Sequence, residues 1–184
     1  MRKKSCLVRT LLDFLEVFLI SALVFALVYV FIGQLMEVSG NSMHPTYLDK
    51  ERVIVEKVSL KFKEIGRGEV VIFQHPQIRE RHLLIKRVIG LPGEVFRISG
   101  GSVYINGNKL DEPYLAPGVQ TFELANGVIK ENVDYPIAAN SYVLLGDNRA
   151  QSTDSRYFGE ISKDSIIGRL FLVYYPIQDF KLVE

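Results

Sequence analysis

From Phe14 to Ile32 the sequence is almost wholly apolar, and from Val17 onward the run carries no charge. A stretch of this length matches the ~20 residues that a helix needs to cross the hydrocarbon core of a bilayer. Such a segment contributes nothing to a water-soluble core, so the remainder of the chain must fold on its own. Arg2, Lys3, Lys4 and Arg9 stand before the run, and Glu37 is the first charge behind it. That asymmetry puts the N-terminus on the cytoplasmic side and everything after the run outside. A basic start followed by an apolar stretch also fits a cleavable secretory signal. The run exceeds the ~7–15 apolar residues of such a signal, however, and Phe31-Ile32-Gly33-Gln34-Leu35 has no small pair suited to cleavage. The sequence therefore predicts residues 1–13 as a cytoplasmic tail, 14–36 as a single transmembrane anchor and 37–184 as an extracytoplasmic domain.

Hydrophobic residues make up 48% of the 184, enough for a real core beyond the anchor. A net charge of +1 without a long basic run argues against nucleic acid as a partner. Cys6 is the only cysteine, so no intrachain disulfide forms; it reads as a free thiol. Beyond residue 37 short runs of Val, Ile and aromatics are separated by Gly, Pro, Asn and Asp, the pattern of a mainly β domain. Strands are predicted over 51–57, 69–74, 82–89, 94–99, 102–105, 141–145 and 166–174. Asn106-Gly107 and Gly100-Gly101 mark hairpin turns. Residues 96–140 are more polar and turn-rich, which predicts a small inserted β subdomain, and no long helix is expected after residue 37.

Three segments carry residues suited to chemistry. In Ser39-Gly40-Asn41-Ser42-Met43-His44-Pro45-Thr46, Gly40 and Pro45 turn the backbone sharply and expose the Ser42 hydroxyl. The Ser42 N–H is then free to face an oxyanion. A serine in such a turn is equally able to be structural. Lys86 interrupts the apolar strand Leu83–Ile89, sharing a face with Leu84, while Leu83, Ile85 and Arg87 share the other. Such a lysine either snorkels outward or is buried, and burial lowers its pKa by disfavouring the charged form. A buried lysine beside a serine activates a nucleophile without histidine. The third segment, Gly146–Gly159, is dense in polar residues directly behind an apolar strand. It reads either as a turn-rich surface loop or as a loop held rigid by Asp147 and Asp154 paired with Arg87, Arg149 or Arg156.

Together these segments resemble the bacterial type I signal peptidases (leader peptidases). The family's S-M-x-P-T motif is matched by Ser42-Met43-His44-Pro45-Thr46, its K-R-x-x-G-x-P-G-[DE] motif by Lys86–Glu94, and its G-D-N-R-x-x-S-x-D-S-R signature by Gly146–Arg156. The resemblance implies a LexA-like Ser–Lys catalytic fold and a membrane-bound serine endopeptidase that removes signal peptides after small residues at −1 and −3. Ser42 is then the nucleophile and supplies the oxyanion N–H, and Lys86 is the base. Ser152 orients the Lys86 amine, and Asp147, Arg87, Asp154 and Arg156 brace the site. Phe73, Leu84 and Leu144 shield the lysine, and Met43, Leu84 and Ile85 wall shallow pockets for an extended, strand-like substrate. The implied partners are secreted preproteins, the lipid bilayer and the translocation machinery, at the cell membrane and with no cofactor or metal.

The single anchor and compact insert fit the family's shorter form. Gly40 departs from members that carry a hydroxyl donor two residues before the nucleophile. His44, His75 and His82 match no zinc spacing and suggest no triad. Two other readings share these features: a self-cleaving LexA-like regulator, which carries a DNA-binding region where this chain has its anchor, and an inactive anchored homologue that binds export substrates.

Overall fold

The computed structural model describes residues 2–31, 34–75 and 83–183, with side chains of the first helix described over 9–25. The chain divides into two compact units, Met1–Gln34 and Leu35–Glu184. In the first, helix α1 spans Arg2–Phe31. It starts well before residue 14, because the Lys, Arg and Leu of the predicted tail are good helix formers and nothing there breaks the helix. From Leu11 to Phe25 the large apolar side chains are exposed around the helix. Among the described residues no helix is long and apolar enough to cross a membrane. Ile32 and Gly33, which the sequence reading placed inside the anchor, lie outside the described residues. Strand β1, Gln34–Glu37, occupies the last part of the stretch assigned to the anchor, so helix α1 does not extend to residue 36.

The second unit is mainly β. One sheet contains β1, β2 (Arg52–Glu56), β3 (Val70–Gln74), β4 (Leu83–Gly90), β9 (Ser141–Leu145), β10 (Ile161–Ser162), β11 (Ile166–Tyr175) and β12 (Lys181–Leu182). Its order is β1-β2-β11-β3-β4-β9-β10, with β12 also paired to β11. A second sheet runs β7-β6-β5-β8, built from β5 (Val95–Ser99), β6 (Ser102–Ile105), β7 (Asn108–Lys109) and β8 (Tyr135–Pro136). Helix α2, Ser155–Phe158, is a single turn. Each predicted strand appears within a residue or so of its expected bounds, save that His82 lies outside the described residues.

Strand β3 shows why the large sheet is central. Val70, Val71, Ile72 and Phe73 are all buried, as a strand covered on both faces requires. Because side chains alternate, Val70 and Ile72 join a cluster with Met43, Tyr47, Val53, Val55 and Leu170, whereas Val71 and Phe73 join Val88, Tyr142, Leu144 and Ile161. Full burial of each such side chain contributes about 1.5–3 kcal/mol. The polar 96–140 stretch is less separate than its composition suggests. Ile89, Val143 and Leu145 from the large sheet share a core with Phe96, Ile98, Val103, Ile105 and Ile129 from the smaller one. The two sheets are thus one packed body, with the loop that follows β9 lying where they meet.

Candidate active site

The turn carrying Ser42 is held from below and from both ends. Met43 and Tyr47 are buried in the first apolar cluster, and the Tyr47 N–H donates to the Met43 carbonyl at 3.0 Å. The Gly40 N–H donates to Asp49 Oδ1 at 2.7 Å, with Gly40 at φ +86°, a region that disfavours any side chain. That conformation accounts for a glycine at this position. The Ser42 carbonyl accepts from the Asn148 N–H at 3.0 Å, which ties the turn to the loop after β9. The Ser42 N–H itself donates to no acceptor among the described residues and stays available to an oxyanion.

Lys86 reaches this hydroxyl from β4. It sits opposite Val71 and alternates with Leu84 and Val88 on the side of the strand that packs against Phe73 and Leu144. Only 2% of the residue is exposed. Nζ lies 2.8 Å from Ser42 Oγ and donates to the Ile85 carbonyl at 2.9 Å. Burial pulls the Lys86 pKa down to about 8, against the opposing pull of the Asp154 and Asp147 carboxylates. At pH 7 about a tenth of the amine is therefore unprotonated, rising to half near pH 8, and its lone pair can accept the Ser42 proton. Among the described residues no other base is hydrogen-bonded to that hydroxyl.

The loop from Gly146 to α2 is rigid through charge. Arg87 donates to Asp147 twice, at 2.8 and 2.6 Å, and also to the Gly68 carbonyl. Arg156 donates to both oxygens of Asp154, at 2.8 and 2.9 Å, while Asp154 accepts the N–H groups of Gly146 and Arg156 and so caps α2. These four residues are all buried, so each bidentate pair is also a desolvated one. Ser152 departs from the expectation. Its buried hydroxyl makes no hydrogen bond, to Lys86 or to any other described group. Nζ instead spends its hydrogen bonds on Ser42 and the Ile85 carbonyl. Arg149, which the sequence allowed to pair with Asp147 or Asp154, pairs with Glu112. Glu112, Tyr114 and Thr121 join the site's framework without any sequence signal, since they lie in a turn-rich stretch of no motif; Asn148 joins it from within the Gly146–Arg156 motif, where no role was read for it.

Beside Ser42 opens a cavity of about 70 Å³. Met36 and Val38 line it together with Leu83, Leu84, Ile85 and Lys86, and Ser42 itself is part of the lining. Leu84 and Ile85 line this cavity, but Met43 does not. Its side chain points into the core beneath the turn, because apolar neighbours on β2 and β3 give it a fully dry site. Among the described residues His44 makes no side-chain hydrogen bond to Ser42, and His75 packs on the Phe158 ring at 4.4 Å.

The depressed lysine carries a pH signature. Activity that needs neutral Lys86 rises with pH and levels off above the amine's pKa, so kcat/KM should climb about tenfold per pH unit below about pH 8. The expected acid limb survives His44→Gln. A limb that disappears in that variant would move the base to the histidine.

The family described as "Signal peptidase, peptidase S26" matches residues 11–175. A protein from Staphylococcus aureus named signal peptidase IB is 35% identical over 184 aligned residues, covering 92% of this chain and 93% of its own. A probable signal peptidase I-2 from Synechocystis is 34% identical over 164 residues, 86% of this chain and 71% of that protein. The solved structure of a signal peptidase I from Enterococcus faecalis V583 covers 59% of this chain and 97% of its own, with 29% identity and a TM-score of 0.45.

Proposed function

Because the chain belongs to the S26 signal peptidase family, and so is a serine endopeptidase, we propose that it cuts exported preproteins through a Ser42–Lys86 dyad, after small residues at −1 and −3. The observation that carries the mechanism is the 2.8 Å approach of a buried, pKa-lowered amine to the Ser42 hydroxyl. Neutral Lys86 takes the Ser42 proton as Oγ attacks the scissile carbonyl. The Ser42 N–H faces the developing oxyanion, and the lysine ammonium then gives its proton to the departing amine. Water attacks the Ser42 ester in turn, with Lys86 again as base. Asp147, Arg87, Asp154 and Arg156 keep the loop beside the dyad in place, and Ser152 lies within that loop.

Specificity has a simple physical basis in this reading. An extended substrate enters between β1 and the start of β4 as an added strand. Side chains two residues apart then point the same way, and the 70 Å³ cavity lined by Met36, Val38, Leu83 and Ile85 suits small side chains better than an aromatic ring. The apolar stretch of residues 14–32 supports a membrane-bound enzyme, because a helix apolar on every side has no favourable place in water. In that arrangement the basic N-terminus faces the cytoplasm, the β unit lies outside, and the enzyme meets its preproteins at the bilayer as the translocation machinery delivers them.

The test is cleavage of a preprotein with Ala at −1 and −3 by detergent-solubilised full-length chain, beside its Ser42→Ala variant. One cut after the −1 alanine, absent in the variant, is the expected result. A cut that persists in Ser42→Ala rejects the nucleophile. An intact substrate that still binds the folded wild-type chain would instead indicate an inactive homologue.

A further inference from the structure

The residues that carry this inference come from segment 110–121, which has no motif and lies between the short strands of the smaller sheet. Arg149 is buried, with its side chain 0% exposed, and its guanidinium is held by one carboxylate, that of Glu112, itself only 10% exposed. Arg149 donates to both Glu112 oxygens, one at 3.2 Å, and to the Thr121 hydroxyl. A buried guanidinium without its carboxylate is strongly unfavourable, so Arg149 stays where Glu112 puts it.

Glu112 reaches the second ion pair as well. The Tyr114 hydroxyl donates to Glu112 Oε1 at 2.6 Å, and the Tyr114 ring lies 4.1 Å from the guanidinium carbon of Arg87, the partner of Asp147. One short segment thus touches both Arg149 and Arg87. From Arg149 two connections run to the reacting groups. Its Nε donates to the Gly146 carbonyl at 3.1 Å. Its own carbonyl accepts from Arg156 at 2.8 Å, and the same Arg156 nitrogen donates to the Ser152 carbonyl at 3.3 Å. Gly146 in turn lies against both Ser152 and the Ser42 carbonyl, so close that a methyl group there would collide with each.

We propose that segment 110–121 is a positioning strap for the loop beside the dyad, with Glu112 as the positioning residue that acts through Arg149 on Gly146 and Ser152. The inference rests on the Ser42–Lys86 reading and extends it. Glu112 touches neither Ser42 nor Lys86, and no residue of the strap lines the substrate cavity. Its loss should therefore be felt in turnover rather than in substrate binding, since small displacements of reacting groups are costly to rate.

The experiment compares full-length wild type, Glu112→Gln, Ser152→Ala and the double variant on the preprotein with Ala at −1 and −3, with rates expressed per active site. Glu112→Gln is expected to lower kcat by about tenfold to a hundredfold with KM within about twofold of wild type. In the Ser152→Ala background the same substitution should lower kcat by less than about threefold, because both act on one placement. A kcat equal to wild type, a change confined to KM, or effects that multiply in the double variant would each overturn the strap. If Glu112→Gln does not fold, Tyr114→Phe removes only the hydroxyl that holds the carboxylate and decides the matter. It should lower kcat about threefold and show the same non-additivity, whereas wild-type kcat or a multiplying effect overturns the proposal. Cleavage that survives Ser42→Ala overturns the dyad rather than the strap, so the two failures are separately visible.

Discussion

Lys86→Met should reduce turnover by about 10⁴-fold or more while leaving the fold as stable as wild type or more so. The loss is large because the Ser42 hydroxyl has no other hydrogen-bonded base among the described residues. A serine hydroxyl that must attack unaided keeps only what the oxyanion N–H and substrate binding provide. The effect on stability runs the other way. Lys86 is protonated in the unfolded chain up to about pH 10.5, and in the folded protein only up to about pH 8. Between those values the unfolded chain binds more protons, so the wild type gains stability as pH rises through that window. Below it the native state carries the full cost of a buried ammonium, roughly 3 kcal/mol. Methionine fills a similar volume without a charge. Denaturant melts at pH 6 should therefore place Lys86→Met at or above wild type, with the gap closing toward pH 10. A variant markedly less stable at pH 6 would mean that the lysine sits there as a satisfied, stabilising cation, which is the wrong protonation state for a base.

The same lysine shows how far a sequence can be read. Its place on a strand, and the company of Leu84 on its face, follow from strict alternation in an apolar run. Seven of the eight longer strands were legible for that reason, each repeating apolar residues often enough to reveal its period; β1, four residues directly behind the apolar run, was absorbed into the anchor. Strands β7, β8, β10 and β12, two residues apiece, contain no period at all and exist only because a longer neighbour offers them hydrogen bonds. The site divides along the same line. Ser42, Lys86, Asp147, Arg87, Asp154 and Arg156 stand in dense motifs whose residue types already suggest their pairing. Met43 stands in a motif too, yet its burial depends on Val53, Val55 and Ile72, which reach it from other strands. Glu112 is hidden for a related reason: nothing local distinguishes it from Asp111 beside it, and only folding brings it 37 residues along the chain to Arg149. The Ser152 hydroxyl is the reverse case, a motif position whose expected partner is bonded elsewhere.

Gly146→Ala should cost about 10²-fold in kcat, from a single methyl group that touches neither substrate nor base. The backbone of Gly146 lies outside the left-handed region, so alanine meets no torsional penalty; the difficulty is space. An added Cβ falls inside contact distance of the Ser152 Oγ and Cβ and of the Ser42 carbonyl. Gly146 cannot swing clear, because its N–H is held by Asp154 and its carbonyl by Arg149. The two serines must therefore separate, and the Ser42 carbonyl is one bond from the carbon that carries the attacking side chain. Overpacking of this kind costs about 1–3 kcal/mol of stability, which a folded domain of this size survives. Gly40→Ala is the informative contrast. The space there is open, but the φ of +86° makes any side chain strained, so its penalty is conformational and falls on the turn alone. Adding Ser152→Gly to Gly146→Ala removes one of the two collisions. Stability in that double variant should return part of the way to wild type, while kcat stays low because the methyl still presses on the Ser42 carbonyl. Wild-type kcat in Gly146→Ala would show that the close approach has no bearing on the geometry of attack. Stability that Ser152→Gly fails to restore would place the strain elsewhere than between these two loop positions.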